Sequence, residues 1–137
     1  MKKIICENVD DTIKTAKTYA KELKSGDILL LYGDLGAGKT VFSKALIEEL
    51  TGESDVVSPT FSLCNRYENG ETTVCHFDLY RIKSIDELVE IGVEETMYSG
   101  AICIFEWPER AEHIFPNYAK KIEIKKIDEN KREIILC

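Results

Sequence analysis

The sequence predicts an α/β protein: one domain over residues 1–137, in three layers, with a mixed central sheet that includes antiparallel hairpins and carries helices on both faces. Three observations predict it. Two short unbroken apolar runs, Ile28–Tyr32 and Ala101–Phe105, suit parallel strands buried on both faces. Apolar residues spaced three or four apart mark helices between the strand-like runs. Two polar turns, at Asn69-Gly70 and at Asp128–Lys131, each lie between strand formers, as hairpins require. At 137 residues and 44% apolar content, the chain can bury a single core.

Each element follows in chain order. Lys3–Cys6 reads as a strand, and Asn8 or Asp10 can cap a helix with Ile13, Ala16, Tyr19, Ala20 and Leu23 on one side, ended by Ser25-Gly26. After the first buried run, Phe42, Ala45, Leu46 and Leu50 form a helical stripe that Gly52 stops. Glu53–Pro59 is polar without periodicity and reads as a loop. Ser62–Glu68 and Glu71–Leu79 are strands about Asn69-Gly70, and a two-residue loop there sets Cys64 against Cys75, with His76 on the opposite face. Ser84–Glu87 spells a capping box, so Leu88 and Ile91 should face inward and Gly92 should end that helix. Ala101–Phe105 is closed by Glu106-Trp107-Pro108, and a short helix follows to Phe115. Lys120–Ile127 and Arg132–Leu136 alternate at period two, as a terminal hairpin does.

Chemistry enters between the first buried run and its helix. Gly33-Asp34-Leu35-Gly36-Ala37-Gly38-Lys39-Thr40 fits G-x-x-x-x-G-K-[ST] in the strand–loop–helix setting that motif needs. Glycines let the backbone take positive φ and approach a ligand, so successive amides converge on phosphate oxygens. The helix N-terminus adds partial positive charge. Lys39 would reach the outer phosphates, and the Thr40 hydroxyl would ligate a magnesium ion bridging them. The bare pattern arises by chance in roughly one chain of this size in two hundred, and the flanking strand and helix make chance rarer still. A P-loop NTPase-like fold binding a nucleotide is the expectation.

Composition narrows the partners. A formal charge of −7 argues against a protein that grips nucleic acid through its phosphates. Five cysteines, odd in number and without C-x-x-C spacing, support neither a disulfide framework nor a zinc site. No apolar run is long enough to span a bilayer, and a cytoplasmic setting is expected. His76 and His113 lack a second ligand at helical or strand spacing.

A phosphate loop holds a nucleotide but does not cleave it; cleavage needs an acid near magnesium and a group that orients the attacking oxygen. Asp78 in "TVCHFDLYR" and Glu106 in "AICIFEWPE" end apolar strands, where the crevice of an open α/β sheet lies. Strand-end acids also serve as plain solvated termini, and it is the glycine loop that raises these two to catalytic candidates.

Four blocks, "GDLGAGKT", "SPTF" at 58–61, "HFDLYR" at 76–81 and "EWPE" at 106–109, resemble in order and spacing the TsaE (YjeE) family. These are small bacterial P-loop ATPases required for the threonylcarbamoyl modification of adenosine in tRNA. The resemblance implies that Gly33 to Thr40 bind ATP and that Thr60 is a switch-like threonine sensing the last phosphate. It implies that Asp78 is associated with Mg2+, through a water, and that Glu106 takes the Walker-B-like place and positions the attacking water. Residues alone leave open which acid does which job. The implied partners are TsaB-like and TsaD-like subunits, with tRNA met only through the complex. Trp107 reads as core, rim or partner-docking surface. Arg81 and Arg110 are the nearest cations, yet nothing announces an arginine finger, so hydrolysis by the chain alone should be slow.

Competing readings are a small-molecule P-loop kinase, for which no lid or acceptor pocket is evident, and a regulatory GTPase-like switch, which lacks D-x-x-G. Asn130-Lys131-Arg132-Glu133 imitates a guanine motif but reads as a solvated hairpin tip. A pure interaction module with a structural nucleotide is the third.

Overall fold

The structure, a computed structural model, describes residues 1–59 and 62–137. Strand β1 (Lys2–Cys6) leads to α1 (Val9–Ala20), which Asn8 opens by accepting the Asp11 amide proton at 2.9 Å. The helix stops at Ala20, short of the predicted Ser25-Gly26, because Lys24 instead donates its amide to the Asp27 carboxylate in a turn. Leu23 is buried all the same. Strand β2 (Ile28–Tyr32) feeds the glycine loop, and α2 (Lys39–Thr51) ends at Gly52, whose φ of 74° lets its amide reach the Glu48 carbonyl.

Strands β3 (Cys64–Asn69) and β4 (Thr72–Asp78) form the expected hairpin in a different register. Asn69 pairs with Thr72, so the loop is Gly70-Glu71, with Gly70 at φ 60° in the first central position, the place a type II′ turn reserves for glycine. Cys64 therefore faces Phe77, and Cys75 faces Arg66, correcting the predicted cysteine pair to diagonal neighbours. All five cysteines are free.

Next come α3 (Asp86–Glu90) and α4 (Val93–Met97), two short helices hinged at Gly92, which takes φ 70°. Glu87 does reach back, accepting the Ser84 amide at 3.2 Å, but Ile85 rather than Ser84 occupies the cap. Leu88 is buried, whereas Ile91 is 40% exposed because the chain turns before that position can face the sheet. Strand β5 (Ile102–Glu106), a kinked 3₁₀ segment (Pro108–Ile114), β6 (Lys120–Lys126) and β7 (Arg132–Leu136) complete the chain.

The seven strands lie in the order β1-β7-β6-β2-β5-β4-β3. The central four run parallel, and the antiparallel β1–β7, β6–β7 and β3–β4 pairs close the sheet on either side. Period-two alternation along β2 explains the two cores. Leu29 and Leu31 pack with Phe42, Leu46 and Ala16 under α1 and α2, while Ile28 and Leu30 pack with Phe77, Phe105, Leu88 and Met97 under α3 and α4. Each fully buried apolar side chain contributes about 1.5–3 kcal/mol. This is the predicted mixed sheet with helices on both faces. Two consequences bear on function: β2 has β5 as its parallel neighbour, and Asp78 is in register with Glu106 at the C-terminal ends of β4 and β5. No helix among the described residues is long and apolar enough to cross a membrane.

Candidate active site

The glycine loop takes the conformation its residues predict. Gly33, Gly36 and Gly38 have φ of 156°, 82° and 105°. A Cβ on Gly33 would lie 2.7 Å from the Ile124 carbonyl oxygen, so the neighbouring strand admits only glycine there. Asp34, Leu35 and Gly36 are exposed at the crest, Ala37 is buried, and the Ala37 amide donates to the Asp34 carbonyl at 3.0 Å. Gly38 caps α2 without a side chain, which leaves the first turn of the helix open to an acceptor from outside. A cavity of about 580 Å³ opens beside the loop, lined in part by Tyr32, Gly33, Asp34, Leu35 and Ala37.

Lys39 is 5% exposed. Its ammonium donates to the Gly33 carbonyl across the loop and sits 3.2 Å from the centroid of the Trp107 ring. Burial lowers its pKa, against the opposing pull of Glu109, Glu106, Asp78 and Asp34. Trp107 holds φ 60°, a left-handed conformation uncommon for a large residue, and Tyr80 packs on it at 4.8 Å. Trp107 also packs against the core that holds Phe77 and Phe105, so this aromatic stands between that core and the loop lysine.

Glu106 is the most enclosed acid, 2% exposed. The Ser43 hydroxyl donates to its Oε2 at 2.9 Å, the Thr40 hydroxyl to Oε1 at 3.3 Å, and His76 Nε2 lies 2.6 Å from Oε2. Burial pushes its pKa up, but the hydrogen bond and charge of His76, with the hydrogen bonds from Ser43 and Thr40, outweigh that and hold the carboxyl below the usual carboxylate range. Since a carboxylate has about four acceptor sites, an open position remains on Oε1. Asp78 differs. It is half-buried, accepts the Tyr80 amide at 3.0 Å, and has its pKa raised by burial, with the charge of Glu106 adding to the rise.

The structure thus brings the loop Gly33 to Gly38, Lys39, Thr40, Asp78 and Glu106 to one end of the sheet. Thr60 lies outside the described residues. Arg81 is exposed, and Arg110 stands 5.5 Å over the Tyr80 ring. Ser43 and His76 went unrecognised in the sequence, although both had a signal. Ser43 lies one helical turn beyond Thr40, and His76 shares its strand face with Asp78. Thr40, Glu106 and Asp78 offer hard oxygens of the kind magnesium takes, and no group of three or more His, Cys, Asp or Glu that could hold a metal occurs among the described residues. That donor set fits an ion completed by phosphates and water rather than a protein cage.

Residues 6–134 match the family described as "Threonylcarbamoyl adenosine biosynthesis protein TsaE". The chain is 42% identical over 130 residues to the tRNA threonylcarbamoyladenosine biosynthesis protein TsaE of Rickettsia felis, covering 94% of this chain and 75% of that one. To the protein of the same description from Aquifex aeolicus it is 40% identical over 136 residues, covering 98% and 94%. Its fold is similar to the crystal structure of YdiB from Bacillus subtilis, with a TM-score of 0.80 at 33% identity, covering 97% of this chain and 82% of that one.

Proposed function

The chain belongs to the TsaE family of threonylcarbamoyl adenosine biosynthesis proteins, and from that premise we propose that it is the magnesium-dependent ATPase of this tRNA modification, hydrolysing ATP when docked on TsaB-like and TsaD-like subunits. One observation carries the reading: a glycine loop opening an uncapped helix stands beside an enclosed, ionised Glu106 that touches the loop's own Thr40.

The chain's residues divide the work. Loop amides and the α2 N-terminus receive the phosphates. Lys39 exchanges the Gly33 carbonyl and the Trp107 face for the outer phosphate oxygens. Thr40 and Glu106 would hold magnesium side by side, with Asp78 reaching it through a water. Bound magnesium would supply neutralisation of phosphate charge. The remaining lone pair on Glu106 Oε1 suits the attacking water equally well, and its ionised state lets it accept that hydrogen bond. Thr60 would sense the last phosphate. A net charge of −7 favours contact with tRNA only through the complex.

The test is ATP hydrolysis with and without the two subunits, repeated in Glu106→Gln. Turnover should rise on docking, and the variant should lose about 10²–10⁴-fold in rate while still binding ATP. Unchanged turnover in the variant removes Glu106 from catalysis. A phosphorylated metabolite instead of free phosphate indicates a kinase, and a clear preference for GTP indicates a switch.

A further inference from the structure

The terminal hairpin reads from sequence as a solvated tip, yet one of its residues reaches the phosphate loop. Arg132, the first residue of β7, donates from Nε to the Ala37 carbonyl at 2.8 Å and from Nη2 to the Gly36 carbonyl at 3.5 Å. Its Nη1 donates to the carbonyls of Asp128 at 2.7 Å, Lys131 at 3.0 Å and Glu129 at 3.3 Å, so the same guanidinium is anchored in the hairpin turn. The approach is close enough that a Cβ on Gly38 would lie 3.6 Å from Nε.

Peptide geometry turns that contact into a consequence for the ligand. In a trans peptide the C=O and the following N–H point in opposite directions. A guanidinium that holds the Ala37 carbonyl therefore aims the Gly38 amide away from itself. A cation on the carbonyl also polarises the peptide and strengthens its N–H as a donor. Glycines at 36 and 38 would otherwise leave these planes free to rotate. We propose that Arg132 is a positioning residue of the phosphate loop, its fork locking the two peptide planes that join Gly36, Ala37 and Gly38 so that the Gly38 amide, aimed away from the guanidinium, receives a nucleoside polyphosphate. This rests on the reading of the loop as a nucleotide site. It adds to that site a part contributed from the far end of the chain.

Binding of ATP and of inorganic tripolyphosphate, which has no base, is measured by calorimetry with magnesium, well below each variant's melting temperature. Loss of two such charge-assisted contacts should weaken both ligands by the same factor, about tenfold or more, in Arg132→Ala. Arg132→Lys keeps the charge and loses the fork, so it should remain weakened, and it decides the matter should the alanine variant fail to fold. Three results overturn the proposal: unchanged tripolyphosphate affinity in a folded variant, even with a lowered melting temperature; loss confined to ATP, which makes Arg132 a base contact; or full affinity in Arg132→Lys. Wild-type protein that binds neither ligand overturns the nucleotide reading itself and the proposal with it.

Discussion

Replacing His76 by Ala tests how the buried acid is held. Nε2 lies 2.6 Å from Glu106 Oε2, with the side chains 0% and 3% exposed, and no partner for Nδ1 occurs among the described residues. Nε2 is the nitrogen that faces the carboxylate, and it donates there. Removing it takes a donor from an ionised group, a loss of about 1.5–3 kcal/mol. The space left by the ring adds about 1–2 kcal/mol. Together, about 2.5–5 kcal/mol lowers the melting temperature of a chain this size by about 8–20 °C. Thermal and urea denaturation followed by circular dichroism measure it, in the wild type and in Glu106→Gln. With the charge gone, the same substitution should cost about 1 kcal/mol less, because hydrogen bonds between neutral groups are weaker. A cost below about 1 kcal/mol in wild type, or an equal cost in both backgrounds, would refute the pairing and leave His76 as packing alone.

Two further predictions use single features of the site. Trp107 is the only tryptophan, and its ring lies against the Lys39 ammonium, so ATP that draws the lysine away should change its emission. Lys39→Met should abolish that response, and an unaltered spectrum at saturating ATP argues against the exchange of partners. Gly33→Ala forces a Cβ to within 2.7 Å of the Ile124 carbonyl oxygen, and backbone cannot yield cheaply there. It should destabilise the fold by about 1–3 kcal/mol and weaken ATP binding, with denaturation and calorimetry as the measurements.

The sequence by itself determined what depends on near neighbours along the chain. Three glycines between a strand and a helix specify a loop that turns through positive φ, because glycine alone relieves the steric limit there. Unbroken apolar runs specify buried strands, and helical spacing specifies the faces of α1 and α2. Asp78 and Glu106 stood out because each ends a strand. Even here boundaries slipped: α1 ended early at a side-chain turn, and Gly70 rather than Asn69 opened the hairpin loop, which moved Cys64 off Cys75.

Tertiary structure decided what surrounds those residues. Glu106 meets Ser43 and His76 across separations of 63 and 30 residues, and Arg132 meets Ala37 across 95. Those contacts exist only because β2 is set between β5 and β6, with the terminal hairpin alongside. Local patterns encode which face of an element is apolar, since burial follows the period of a helix or strand. They do not encode which element that face will meet. The ionised state of Glu106, the tryptophan over Lys39 and the guanidinium behind the loop all arise from that choice of neighbours, because enclosure and hydrogen bonding act between groups that only packing of the whole sheet brings together.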